Sequence, residues 1–342
     1  ESSFAAETLA AAVVADAAAD AVTAEPNGFI ELGLAPELVQ AVADLGYTQP
    51  TSVQLKAIPL AMGSGNDSTS FIDLMVSSQT GSGKTAAFLL PVLHTLIQQQ
   101  AAAEAEERAA FERAVAEAAA RGEPAPKRAK RKDPTNSRNF KAATPGALIL
   151  CPTRELAQQV AHDAIDLVKH CLGLRVANVV GGMPYQLQIA KLQNANLVVA
   201  TPGRLLDLQR SMQIKLDKVQ FLVVDEADRM LDLGFSDDLA ELNQLTAQRK
   251  QTMMFSATFA PRIQQLSMRV MHDGGASVQQ VTIDSPQEKH ANIKQMLYWA
   301  DNAQHKRKLL DHWLRDTSIN QAIVFASTQV ECDGLANDLQ QE

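Results

Sequence analysis

Residues 78–85, Ser78-Gln79-Thr80-Gly81-Ser82-Gly83-Lys84-Thr85, constrain this chain more than any other stretch. A short apolar run, Phe71-Ile72-Asp73-Leu74-Met75-Val76, precedes them and reads as a buried strand. Ala86-Ala87-Phe88-Leu89-Leu90 follows and reads as the start of a helix. Strand, small-residue turn and helix together make a phosphate cradle. Glycine lets backbone N–H groups turn inward without a Cβ clash, and the helix N-terminus adds positive potential. In such a cradle Lys84 reaches the β- and γ-phosphates, and the Thr85 hydroxyl ligates Mg²⁺. The strict pattern has glycine where this chain has Ser78. The competing reading is a Gly/Ser turn that merely precedes Lys-Thr, and it leaves the flanking strand and helix unexplained.

The length of 342 residues points to about two domains. The net charge of -8 does not announce a nucleic-acid partner, so local basic patches have to be sought. Cys151, Cys171 and Cys332 lack CxxC spacing, which argues against a disulfide framework or zinc site and fits a reducing compartment. No stretch is apolar for the length a membrane helix needs. Residues 1–26 are Ala-rich with acidic punctuation and lack the basic and apolar regions of a secretory signal. They read as a weak helix or disordered tail. The first residue, Glu1, and the helical pattern at Glu342 suggest that both ends are cut.

In chain order, Phe29 opens the folded part, and Pro36 starts a helix with Leu38, Val39, Val42 and Leu45 on its apolar face. Gly46 ends it. After Pro50, Thr51 or Ser52 caps a second helix, on which Gln54 taken alone is an ordinary surface residue. The helix after the cradle runs through Pro91 toward Gln100. Residues 98–145 then form an insertion, first Ala-rich and helix-forming, then Pro-rich and basic at Lys127-Arg128-Ala129-Lys130-Arg131-Lys132. That basic run is either a solvated linker or a sequence-blind phosphate binder. Further strands are expected at 147–151, 176–180, 197–200, 221–224 and 251–255, alternating with helices, as in a parallel α/β sheet. Polar clusters follow each: Pro152-Thr153-Arg154, Gly181-Gly182, Thr201-Pro202-Gly203-Arg204, Asp225-Glu226-Ala227-Asp228 and Ser256-Ala257-Thr258. Open α/β sheets bind ligands at those strand ends. Residues 284–292 read as a linker. A second α/β unit is then expected, with strands at 295–299 and 322–326 and helices at 305–315 and 330–340. Two strands and two helices cannot close a core alone.

A nucleoside triphosphate site needs both a cradle and a carboxylate for Mg²⁺. Asp225 suits the metal, and Glu226 suits positioning or deprotonating an attacking water. With these motifs in this order, the sequence resembles the DEAD-box ATP-dependent RNA helicases of bacterial type. Asp225-Glu226-Ala227-Asp228 is the quartet that names the family, and Ser78–Thr85 matches its variant nucleotide loop. Gly46 to Gln54 matches its adenine-sensing motif, with Phe29 lying 46 − 29 = 17 positions upstream. The resemblance implies an α/β, RecA-like P-loop domain with a parallel sheet flanked by helices (residues 27–284), a linker at 285–292, and the beginning of a second RecA-like domain at 293–342.

It also implies roles. Phe29 and Gln54 would hold adenine. Ser78, Gln79, Thr80, Gly81, Ser82, Gly83, Lys84 and Thr85 would hold the phosphates, and Thr85 and Asp225 would hold Mg²⁺, partly through water. Lys84, Thr85, Asp225, Glu226, Ser256 and Thr258 would be catalytic, with Asp228, Ser256 and Thr258 bonded together to couple nucleotide state to RNA grip. Pro152, Thr153, Arg154, Gly182, Thr201, Gly203 and Arg204 would contact RNA backbone without reading sequence. ATP and Mg²⁺ are the implied cofactors. Single-stranded or short duplex RNA is the implied partner, with ribonucleoprotein, RNA-decay or ribosome-assembly factors around a cytoplasmic monomer and no membrane. The family's second domain continues into arginine-bearing motifs that this chain does not reach, so the piece is expected to bind ATP and RNA without efficient hydrolysis. A non-catalytic ATP- and RNA-binding module is the alternative; the adenine motif and Asp225–Asp228 disfavour a DNA-directed helicase.

Overall fold

Four-residue runs such as Ala147–Leu150, Leu197–Ala200 and Phe221–Val224 are apolar at every position and buried at every position. Such runs suit only a sheet covered on both faces. The computed structural model describes residues 27–63, 71–79, 83–130, 140–275, 277–282, 294 and 296–341. The chain divides into two compact units, Glu1–Ser285 and Pro286–Glu342.

The first unit opens with helices α1 (Pro36–Asp44) and α2 (Ser52–Met62), then β1 (Leu74–Ser77) and the long helix α3 (Lys84–Ala120). Next come β2 (Ala147–Leu150), α4 (Arg154–Leu167), β3 (Val176–Val179), α5 (Tyr185–Leu192), β4 (Leu197–Ala200) and α6 (Pro202–Arg210). The unit finishes with β5 (Phe221–Val224), α7 (Ala227–Asp232), α8 (Ser236–Leu245), β6 (Gln251–Ser256), α9 (Pro261–Val270) and β7 (Gln279–Thr282). All seven strands among the described residues are parallel, in the order β3-β4-β2-β5-β6-β1-β7. Alternate residues feed two cores. Val76, Ile149 and Val223 face one with Phe88 of α3 and Phe255 of β6; Leu148, Leu150, Leu222 and Met254 face the other with Ile263 and Leu266 of α9.

β7 has no sequence-based counterpart. Only Val281 of its four residues is buried, so no alternation announces it. The second unit also departs from expectation. Its helices form as α10 (Ala303–Leu314) and α11 (Gln329–Gln341), but residues 296–300 and 321–326 are not strands. A parallel strand exists only beside a neighbour, and the described residues of this unit supply none. The segments expected as N-terminal tail (1–26) and linker (284–292) lie outside the described residues.

One buried histidine ties α1 to α3. His94 Nδ1 accepts the Ala35 N–H, 2.9 Å away, just ahead of α1. Burial pushes the imidazole below its ordinary value of 6.5, so the folded state holds it neutral. The unfolded chain therefore binds more protons just below that pH. Stability is expected to be unaffected by His94 above pH 6.5 and to fall as pH drops below it. Urea midpoints measured from about pH 8 to pH 5 for the protein and for His94→Gln check this. An acid-side decline of equal size in both would remove His94 from the account.

Candidate functional site

Strand order sorts the expected residues into two groups along one edge of the sheet. β1, β6 and β5 are neighbours, and Ser78, Ser256 and Asp225 lie at their C-terminal ends. β2, β4 and β3 are neighbours in the other half, and they lead into Pro152–Arg154, Thr201–Arg204 and Gly181-Gly182. Backbone bonds hold the edge in register: Ser78 N donates to Ser256 O (3.1 Å), Asp225 N to Leu150 O (2.9 Å) and Thr201 N to Val179 O (3.1 Å).

In the first half, Lys84 begins α3 and meets the acidic strand end. Its Nζ lies 3.1 Å from Asp225 Oδ1 and 3.3 Å from Glu226 Oε1, 142 residues further along the chain. Burial lowers the Lys84 ammonium, but the two carboxylates outweigh it and hold the group above its ordinary value. Asp225 is fully buried, and that burial pushes its carboxyl upward against the pull of Lys84. Its Oδ1 also accepts the Glu226 N–H at 2.9 Å. Glu226 itself is left-handed, at φ 49° and ψ 54°. A non-glycine residue held there costs about 1–3 kcal/mol, and such outliers concentrate at functional sites.

Among the described residues, three buried oxygens of this half have no hydrogen-bond partner: Ser78 Oγ, Asp225 Oδ2 and Ser256 Oγ. Buried polar atoms are ordinarily satisfied. Three orphans on adjacent strand ends, beside a lysine and two carboxylates, fit a bound phosphate group and its cation. No cluster of three or more His, Cys, Asp or Glu able to hold a metal occurs among the described residues. One carboxylate and the Thr85 hydroxyl suit Mg²⁺, which keeps most of its waters and takes its other oxygens from phosphates.

The backbone around α3 is equally specific. Gly83 has φ 84°, and a Cβ there would sit 2.6 Å from Gln54 Nε2 and 2.9 Å from Thr51 Oγ1. Thr51 caps α2 in a capping box with Gln54. Gln54 is only 6% exposed, not the surface residue its position alone suggests. Its Oε1 accepts from Thr51 N (3.0 Å), and its Nε2 donates to Gly83 O (3.1 Å). A Gln amide has a second lone pair and a second N–H, so one acceptor and one donor remain for a base edge. Thr85 is half-buried and Gln79 is exposed, while Thr80, Gly81 and Ser82 lie outside the described residues.

Phe29 is only 2% exposed and packs in the core. Asp228, Ser256 and Thr258 are not bonded together: Ser256 Oγ is unpartnered, and Thr258 is exposed.

In the second half, Pro152 is buried, and Thr153 caps α4 by accepting from Leu156 N at 3.3 Å. Arg154 is exposed and lies over Gly182, whose φ is 80° and where a Cβ would meet its Nη1 at 2.5 Å. Thr201 sits at the N-cap position of α6 without a side-chain capping bond, Gly203 faces open space, and Arg204 Nη1 reaches Met183 O at 3.5 Å and Gln188 Oε1 at 3.4 Å. The Arg204 guanidinium also stands 5.7 Å from the Tyr185 ring centroid. Sequence reasoning missed Gln188. It is fully buried and donates through Nε2 to Val180 O, tying the Gly181-Gly182 turn to Arg204. A polar residue on the inward face of α5, four before the buried Leu192, was the available signal.

A parallel sheet flanked by helices, with the Lys84–Asp225–Glu226 cluster and Arg154 and Arg204 along one edge, is an α/β domain of the RecA-like kind. Residues 51–266 match the model of the DEAD/DEAH box helicase family. The chain belongs to that family. It is 34% identical over 315 residues to the ATP-dependent RNA helicase SrmB of Escherichia coli, covering 92% of this chain and 60% of that protein. It is 34% identical over 307 residues to the ATP-dependent RNA helicase RhlB of Pseudomonas syringae pv. tomato, covering 89% of this chain and 65% of that one. The chain thus spans about 60–65% of the length of these curated relatives. Among solved structures, S. cerevisiae Dbp5 bound to RNA and ADP BeF3 superposes with a TM-score of 0.64 at 26% identity, covering 92% of this chain and 67% of that one. No helix among the described residues is long and apolar enough to cross a membrane.

Proposed function

We propose that this chain is the ATP- and RNA-binding part of an ATP-dependent RNA helicase, working as a cytoplasmic protein. The observation that carries this reading is the Lys84–Asp225–Glu226 cluster with its three unpartnered oxygens, next to the Arg154–Gly182–Arg204 surface on the same sheet edge.

Lys84 leaves its carboxylate partners to meet the β- and γ-phosphates, exchanging one pair of charge-assisted bonds for another. Thr85 and Asp225 would hold Mg²⁺, which when bound supplies positive charge beside the phosphate oxygens. Glu226, released from Lys84, orients the attacking water and accepts its proton. The remaining donor and acceptor of Gln54 read the adenine edge. Arg154, Thr153, Gly182, Thr201, Gly203 and Arg204 hold RNA backbone, and Ser256, Thr258 and Asp228 connect the two halves once the ligands are in place. Residues 293–342 begin a second RecA-like domain. The work done is local separation of short RNA duplexes or remodelling of ribonucleoproteins. Hydrolysis by the 342 residues alone is expected to be inefficient, because arginines supplied in trans or by a second domain contribute about 10³–10⁵ in rate in such reactions.

Nucleotide choice tests the assignment. The protein is expected to bind ATP in preference to GTP, and Gln54→Ala is expected to erode that preference by about 1 kcal/mol or more. Titration of both nucleotides into both proteins checks it; equal affinities for ATP and GTP in the unmodified protein defeat the reading.

A further inference from the structure

Helix α3 does not stop where the domain does. It is 37 residues long, running from Lys84 through Pro91 to Ala120. Gln99 Nε2 donates to Gln220 Oε1 (2.7 Å), just ahead of β5, and Gln100 Nε2 donates to Leu172 O (2.9 Å), just ahead of β3. At that point the helix has crossed the sheet from its C-terminal edge to its N-terminal edge. The next 20 residues, to Ala120, carry it about 30 Å further as an exposed arm.

The chain then folds back along the arm. Gly122, at φ 70°, ends the helix, which closes with Glu123 N donating to Ala118 O (2.9 Å). The Arg128 guanidinium then lies 5.0 Å from the centroid of the Phe111 ring, so residues 123–130 form a strap that returns to Phe111, stiffened by Pro124 and Pro126. Lys127, Arg128 and Lys130 are exposed on this strap. The arm helix carries Glu104, Glu106, Glu107, Glu112 and Glu117, yet its ion pairs join Arg113 to Glu106 and Arg121 to Glu117 and Glu123. Among the described residues, none of the three strap cations pairs with an acid. A solvated linker needs neither the fold-back nor the aromatic shelf, and a strap that neutralised its own helix would pair with these carboxylates.

We infer that this strap is a second nucleic-acid contact, binding backbone phosphates of RNA outside the stretch held at the strand ends. The choice of RNA rests on the reading given under Proposed function; the separation of the two contacts does not. The strap returns to Phe111, so along the helix it lies about 40 Å from Lys84 and the strand ends. A stacked strand advances about 3.4 Å per nucleotide, so about 8 nucleotides cannot reach from the strand ends to the strap and about 40 can. Short RNA therefore meets one contact and long RNA meets both.

The test is binding of fluorescent oligouridylates of about 8 and about 40 nucleotides across a salt series. The chain carrying Lys127→Gln, Arg128→Gln and Lys130→Gln is compared with the unmodified chain. For long RNA, the slope of log affinity against log salt is expected to fall by about 2, three contacts at roughly 0.7 each. Short RNA is expected to bind both proteins alike. Phe111→Ala, which removes the shelf under Arg128, is expected to give a smaller loss on long RNA only. Unchanged binding of both RNAs overturns the inference and leaves the strap to an acidic protein. Equal losses on both RNAs overturn it too, since the strap would then act at the strand-end site. If the unmodified chain failed to bind short RNA, the strand-end reading would fall, while the strap would still be judged by the difference on long RNA.

Discussion

Replacing Glu226 by Gln is expected to lower RNA-stimulated ATP turnover by about 10²–10⁴-fold, the usual range for losing a general base, with ATP and RNA still bound. The change keeps the side chain's size and its neighbours. It removes the charge that draws Lys84 to 3.3 Å and the basicity that, in the proposed function, would accept a proton from water. Because Asp225 stays at 3.1 Å from Lys84, the cluster keeps one ion pair and the fold its anchor. The measurement is steady-state ATPase with saturating RNA, in a chain extended to the length of the curated relatives, alongside nucleotide titration. Normal turnover in the variant would strip Glu226 of its role. Loss of ATP binding instead of turnover would make it a binding residue.

Lys84→Ala is expected to act at two levels. Charge-assisted bonds to phosphate contribute about 1.5–3 kcal/mol each, so ATP affinity is expected to fall by about 10–100-fold. The second effect needs no ligand. Asp225 would lose its cation while remaining buried, and an uncompensated buried charge costs about 3–5 kcal/mol unless it takes up a proton. Its carboxyl already lies above the ordinary value of 3.8, through burial first, and the variant moves it higher. A raised carboxylate value means that the folded state binds the proton more readily than the unfolded chain. The burial cost therefore applies at neutral pH and shrinks as pH falls through the folded value toward 3.8. Relative to the unmodified protein, the variant is expected to be least stable near neutrality and to recover part of the difference in acid. Denaturant midpoints against pH read this directly. A difference that stayed constant with pH would mean that Asp225 is not the group left exposed to the cost.

Much of this was legible from residues alone, for identifiable reasons. Val223 and Val224 precede Asp225, and Ile149 and Leu150 precede Cys151, because parallel strands buried on both faces must be apolar throughout and their polar residues can only come at the ends. What escaped notice depends on partners far along the chain. β7 is an edge strand with one inward residue, and only its pairing with β1 makes it a strand. Gln188 and Gln54 look like helix-surface glutamines until the turn at Val180 and the carbonyl of Gly83 close over them. The packing that buries Phe29 in the core comes from residues far along the chain. The expected strands of the second unit failed in the opposite sense. Their sequences are apolar enough, yet Ile323 and Phe325 stand exposed because nothing described in that unit covers them.

Helix α3 is also a mechanical element. Its first residue touches the acidic strand end, and its far end carries the basic strap, so both are fixed to one rod of 37 residues. A tilt of about 5° at the root displaces the strap, about 40 Å away at Phe111, by about 3.5 Å, more than the length of a hydrogen bond. Pro91 interrupts the ladder of the rod only one turn past the buried Phe88, where the missing N–H concentrates bending. Beyond Pro91 the rod is pinned by the glutamine contacts of Gln99 and Gln100, and past those it is cantilevered. Small rearrangements around Lys84 are thus geometrically magnified at the strap, unless the Gln99 and Gln100 pivot holds.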